Sequence, residues 1–255
     1  MSAPALQAPP PAFVRYGNFL FRYRDALFPA VLLALFITFR PEYPRGDERL
    51  DNLLDAAGLA IALVGQALRV AVIGYAYIIR GGKNRRVYAE GLVADGIFAH
   101  SRNPLYLGNI LILLGLFVIY NNPWVYALGI PFFLAGYAAI VAAEEAYLRG
   151  KFGPAYDAYT AAVPRWWPRL RGLRRSVDGM TFNWRRVVLK EYGSAAYWMA
   201  AAVVLLAADT LAHHPYRERA GYLNVLWACL ALLVLGWGTA RYLKKSRRLR
   251  EAPAA

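Results

Sequence analysis

Two apolar runs, residues 105–120 and 123–143, are separated only by Asn121 and Asn122. Each is close to the roughly 20 residues that cross a bilayer core. A backbone in hydrocarbon must satisfy its own hydrogen bonds, so each run is expected to be a helix. A two-residue link then forces a hairpin, with the outer ends of both helices on one face of the membrane. Further apolar runs lie near 19–39, 53–79, 193–212 and 221–240. The fold class expected is all-α, a polytopic transmembrane bundle of about six spans.

Composition agrees once the charges are placed outside the bilayer. The chain is 58% hydrophobic yet carries a net charge of +14. Of the 30 lysines and arginines, 24 flank one side of the predicted spans and 5 the other, leaving Arg69 inside the second span. Positive charge accumulates on cytoplasmic loops. This predicts an integral membrane protein, of a bacterial inner membrane, with both termini cytoplasmic. The same flanking pattern accounts for the basic balance through membrane lipids, without nucleic acid. The lone Cys229 excludes disulfides and cysteine metal centres. His213 and His214, adjacent in one loop, make a poor metal pair, so no metal site is expected.

Two segments beside the hairpin's outer ends carry the chemistry: GLVADGIFAHSRNPLYLGN, residues 91–109, and EEAYLRGKFGPAYDAYTAAVPRWWP, residues 144–168. In the first, Pro104 suits a helix start, whose free N–H groups favour anions. In the second, Glu144 and Glu145 end the apolar run, where a helix dipole would oppose them, so they need cations. Arg102 and Arg165 are internal candidates, and a bound cation is another. Tyr156 and Tyr159 share one helical face. Arg69 and Gln66 are costly in lipid and should face the bundle. Arg69 is expected to touch an anionic part of a substrate.

Together the segments resemble the signature of the isoprenylcysteine carboxyl methyltransferase and phospholipid methyltransferase families. The first block is carried by Leu92, Val93, Gly96, Phe98, Arg102, Asn103, Pro104, Tyr106 and Gly108. The second is carried by Glu144, Glu145, Leu148, Phe152, Gly153, Tyr156, Tyr159, Val163, Pro164 and Arg165. The resemblance covers about residues 50–170. It implies S-adenosylmethionine as cofactor, bound at the cytoplasmic boundary, and methyl transfer to a carboxylate or amine of a membrane-embedded lipid or hydrophobic molecule. Carried over, Leu92, Val93, Phe98, Arg102, Asn103, Pro104, Tyr106 and Glu144 would hold the cofactor. Glu145, Tyr159 and Arg165 are the catalytic candidates, and Arg69 and Tyr156 those for the acceptor. Two positions depart from the pattern. The best-known members have histidine at Asn103, and asparagine cannot titrate near neutrality. Members acting on prenylcysteine have arginine at Ile140.

The domain organisation expected is a disordered tail over 1–18, a methyltransferase core over 19–170, an interfacial basic segment over 171–192, a further two-span hairpin over 193–243 and a basic tail over 244–255. Two rival readings share these residues. One is a nicotinamide-dependent membrane reductase of sterol-reductase-like fold, and the other a non-catalytic membrane scaffold.

Overall fold

A computed structural model describes residues 11–75, 80–83, 86–89 and 91–246. It is an α-helical membrane bundle. The long helices are α1 (Ala12–Thr38) and α2 (Glu48–Tyr75), then α3 (Pro104–Tyr120) and α4 (Pro123–Phe152). Two short helices follow, α5 (Pro154–Ala162) and α6 (Leu173–Val177), and the chain continues through α7 (Trp184–His213) and α8 (Ala220–Lys245). A small antiparallel hairpin, β1 (Arg80–Lys83) with β2 (Arg86–Ala89), lies within the loop expected between the second and third spans. Four helices, α2, α4, α7 and α8, are long and apolar enough to cross a membrane, and α3 is a shorter apolar helix. Helix α1 stands where the first span was expected, but Arg15, Arg22, Arg24 and Asp25 load its first half with charge.

The helices outrun the apolar runs that announced them. Helix α1 begins at Ala12, so the expected tail over 1–18 is helical in its second part, and residues 1–10 lie outside the described residues. Helix α4 continues past Glu144 and Glu145 to Phe152. Charge ended the apolar run without ending the helix, because Glu, Leu, Arg and Lys are good helix formers. Arg149 and Lys151 occupy its last turn, where cations suit the free carbonyls. The expected interfacial segment is divided between α6 and the start of α7, and the end of the basic tail, 247–255, lies outside the described residues.

The α3–α4 turn shows why two asparagines suffice. Asn121 takes a left-handed conformation (φ 44°) at the end of α3, which asparagine tolerates better than most residues. Asn122 caps α4, its side-chain oxygen accepting from the Trp124 and Val125 N–H groups at 2.8 and 3.2 Å. Their amide nitrogens donate to the carbonyls of Glu42 and Arg40, both at 2.8 Å, tying the turn to the α1–α2 loop.

Lateral packing does not follow the hairpin. Helix α3 lies along α2 and α4 lies along α1, whereas α3 and α4 touch little. Glycine explains the first pairing. A methyl group added at Gly65 would sit 2.6 Å from the Gly108 carbonyl oxygen, and one at Gly58 2.6 Å from that of Gly115. Lipid tails are as apolar as leucine, so helices in a membrane gain most from such close backbone approach. The α1–α4 side is instead filled by rings, with Phe28 set edge-on against Phe133 and Tyr137 at 5.1 and 5.4 Å.

Candidate active site

The segments 100–103 and 164–169 are laced together. The Arg102 N–H donates to the Pro164 carbonyl at 2.9 Å, and the Arg169 N–H to that of His100 at 3.0 Å. Between these rungs, Ser101 Oγ donates to the Trp166 carbonyl at 3.0 Å and Asn103 Nδ2 to that of Arg165 at 3.1 Å. The two motif blocks therefore form one structure at the end of the bundle where α3 begins. Pro104 opens α3 and is buried. His100 belongs to the same lacing, its Nε2 lying 2.8 Å from Ser176 Oγ. It sits outside the motif pattern, so no role was expected of it.

The paired carboxylates face different partners. Glu144 accepts a hydrogen bond from the Tyr106 hydroxyl at 2.6 Å, and that hydroxyl accepts one from Arg24 Nη1 at 2.8 Å. Glu145 lies between two guanidiniums. Arg165 Nε is 3.1 Å from both of its oxygens and Arg165 Nη2 is paired with Oε2, while Arg102 Nη1 lies 3.3 Å from Oε1. The hydrogen bond to Glu145 holds the Arg165 guanidinium above its ordinary pKa. The expected opposition from a helix end does not apply. Both carboxylates lie about two turns inside α4, and the dipole effect fades within the last turn. Their cost is desolvation, since each is about 95% buried. Buried carboxylates persist when paired and hydrogen-bonded, which these are.

The remaining predicted residues divide into three groups. Phe98 is buried against Val72, with Val93 packed on the same cluster, and Leu92 joins the cluster of Leu148, Tyr156 and Tyr159. Tyr159 donates its hydroxyl to the Phe98 carbonyl at 2.8 Å. Glu145 can take up a proton only by giving up its arginine pairs, and the Tyr159 hydroxyl already carries the proton it donates to Phe98. Arg69 lies apart, among α2, α3 and α7. Its Nε and Nη2 grip Glu191 at 2.8 and 2.6 Å, and its Nη1 bonds Asn109. Gln66 donates to Glu191 at 3.2 Å and accepts from Trp198 Nε1 at 2.7 Å. The arginine thus faces the bundle, as expected, and has an internal anion. Arg24 and Glu191 carry no motif signal. A charge inside or beside an apolar run was the only available cue.

Two buried polar atoms here have no hydrogen-bond partner: Arg102 Nε, a donor, and Asn103 Oδ1, an acceptor. The Asn103 assignment follows from its nitrogen being needed by the Arg165 carbonyl. Buried orphans of this kind cost about 1–3 kcal/mol each, so a ligand that satisfies them gains that much. An amino-acid group supplies both complements, a carboxylate for the donor and an ammonium for the acceptor. The residues therefore fit S-adenosylmethionine, whose tail is such a group.

The phospholipid methyltransferase family profile matches residues 56–155. The nickel-cobalt-cadmium resistance protein NccN of Alcaligenes xylosoxydans xylosoxydans is 27% identical over 168 residues, 66% of this chain and 73% of its own. The cobalt-zinc-cadmium resistance protein CzcN of Cupriavidus metallidurans is 29% identical over 157 residues, 60% of this chain and 67% of its own. No solved structure gives a significant match. The matched segment contains the Arg102–Tyr106 block and the carboxylate pair and stops just before Tyr156. Over residues 56–155, the chain matches the phospholipid methyltransferase family.

Proposed function

We propose that the protein is an S-adenosylmethionine-dependent methyltransferase of a bacterial inner membrane, acting at the cytoplasmic boundary on a lipid or other hydrophobic acceptor. The observation that carries this reading is the orphan pair, Arg102 Nε and Asn103 Oδ1, buried at the start of α3 with Arg102 beside Glu145. When bound, the cofactor supplies an electrophilic methyl group on a sulfonium. Arg102 would receive its carboxylate and Asn103 its ammonium. Glu144, oriented by Tyr106 and Arg24, would offset positive charge. Leu92, Val93 and Phe98 would give the adenine an apolar wall, and Pro104, which fixes the start of α3, would stand beside the tail. Glu145 and Arg165 hold the second motif block in register with the first. Tyr156 and Arg69 are assigned to the acceptor side, Arg69 by way of its grip on Glu191 and Asn109. In-line methyl transfer demands alignment above all, which a laced, rigid pair of loops provides. An oxygen acceptor that is already anionic needs no base, while an amine must lose a proton, for which Glu145, or Tyr159 as its phenolate, is the candidate.

Calorimetry on the purified protein tests the reading. S-adenosylmethionine should bind and NADPH should not, and Asn103→Ala should weaken binding about tenfold or more. Binding of NADPH alone would favour a reductase, and binding of neither a scaffold. Membranes supplied with methyl-labelled cofactor should yield a labelled hydrophobic product only when the protein is present.

The names of the two relatives favour a second, compatible reading, in which the modification serves resistance to heavy divalent metals. Loss of the protein should then raise sensitivity to nickel, cobalt, zinc or cadmium salts, and unchanged growth would remove that reading.

A further inference from the structure

At the opposite end of the bundle, Asp51 and Asp55 of α2 meet Asp209 of α7. One carboxylate oxygen from each lies within 4.8 Å of the others. Tyr106 and Asn121 mark the two ends of α3, about 22 Å apart at 1.5 Å per residue, so this cluster is remote from the candidate active site. Asp209 is about 95% buried, and its Oδ1 has no hydrogen-bond partner. Asp55 Oδ1 is buried without a partner as well. Asp51 is about 97% buried, receives a 3.4 Å contact from Asn121 Nδ2 and lies within hydrogen-bonding reach of the Asp209 carboxyl group.

Counter-charge near the cluster is spent elsewhere. Arg219 pairs with Glu48, and His214 lies 3.6 Å from the same carboxylate. Among the described residues, no lysine or arginine pairs with Asp51, Asp55 or Asp209. The nearest basic nitrogen is His213 Nδ1, 3.4 Å from Asp209 Oδ1 and 3.0 Å from the Asp209 carbonyl oxygen. Asp51 sits in the first turn of α2, where free N–H groups favour it, but Asp209 sits near the C-terminal end of α7, where free carbonyls do not.

We infer that Asp51, Asp55 and Asp209 form a binding site for a single divalent metal cation. Three convergent carboxylates, two buried and one half-buried, need either protons or a cation, and the two orphan oxygens point to a ligand that accepts lone pairs. A divalent cation does so, and carboxylate oxygens are its hard donors. With an imidazole at the edge, the general affinity order for oxygen and nitrogen donors places nickel, copper and zinc ahead of manganese. The inference stands on geometry and does not depend on the methyl-transfer reading.

The test uses the full-length protein in detergent, stripped with chelator and then given Zn²⁺ or Ni²⁺ with Mg²⁺ in excess. A single equivalent of the added metal should co-elute on gel filtration. Asp55→Asn and Asp209→Asn should each lower affinity more than about 100-fold, beyond the usual cost of losing an outer-shell partner. The wild type gives a second readout that needs no variant. Carbodiimide labelling of Asp55 and Asp209, read by mass spectrometry, should be blocked by the metal and restored by chelator. The inference is overturned if the wild type retains no metal, if labelling is indifferent to metal, or if folded Asn variants bind as the wild type does. S-adenosylmethionine binding should be unaltered in both variants, so failure here and failure of the methyltransferase reading are separate results.

Discussion

The two ends of the bundle handle buried negative charge in opposite ways. At the candidate active site, Glu144 and Glu145 are as buried as Asp51 and Asp209, yet every carboxylate has a strong internal donor. At the far end, three carboxylates converge and the local arginine goes to Glu48. Matching internal charges fixes a geometry, which suits a site that must align two reactants. Leaving charges unmatched stores affinity for something from outside. Toward the candidate active site, level with Gly108 and Asn109, Arg69 and Glu191 show the matched solution at its most complete, a two-bond pair with 12% and 4% of the side chains exposed.

The comparison can be broken at several points. The largest effect is expected from Arg69→Ala, which strands Glu191 in the bundle. It should cost about 3–5 kcal/mol of stability in detergent unfolding. Adding Glu191→Gln should recover most of the loss, and a cost that stays whole in the double variant would mean the pair's charge is not the reason. Next, Glu144→Gln should reduce S-adenosylmethionine affinity about tenfold while costing little stability, because the amide still accepts from Tyr106. Equal losses in both would make Glu144 a structural residue only. The far end should respond with the opposite sign. In metal-free buffer, Asp55→Asn relieves like-charge repulsion and should raise stability by about 1 kcal/mol. Destabilisation there would show that the aspartates are already balanced. The smallest effect is expected from Asn103→His. Its imidazole, close to Arg102, should make cofactor binding weaken as pH falls through about 6.5, since a cationic ring repels the ammonium that Asn103 accepts. The present asparagine should show no such step.

The helices and the nearness of the two motif blocks were legible because both depend on local pattern. Apolar runs mark helices, and a two-residue link can only return the chain beside itself. What was not legible depends on meetings between distant residues. Glu191 lies 122 positions from Arg69, so nothing in the local pattern named the carboxylate that the intramembrane arginine grips. Arg24 reaches Tyr106 across 82 positions. The glycines at 58, 65, 108 and 115 were visible but silent, because nothing in one helix's spacing names the helix it will pack on. The position of the carboxylate pair was misjudged for a different reason. Hydropathy stops at Ala143, whereas hydrogen bonding, which defines the helix, continues through Phe152.

The length of α3 has a consequence of its own. Its 17 residues span about 26 Å, some ångströms less than a hydrocarbon core of roughly 30 Å. A helix this short, locked by glycine contact to the longer α2, pinches the bilayer around it or draws its ends below the headgroups. Asn103 at one tip and Asn121 at the other would then lie at the depth of the upper acyl chains. A lipid headgroup would meet the laced loops by sinking slightly rather than by the protein reaching up. Bilayer thickness thereby becomes a control on the enzyme proposed here, with turnover in vesicles highest in short-chain lipid and falling as the acyl chains lengthen.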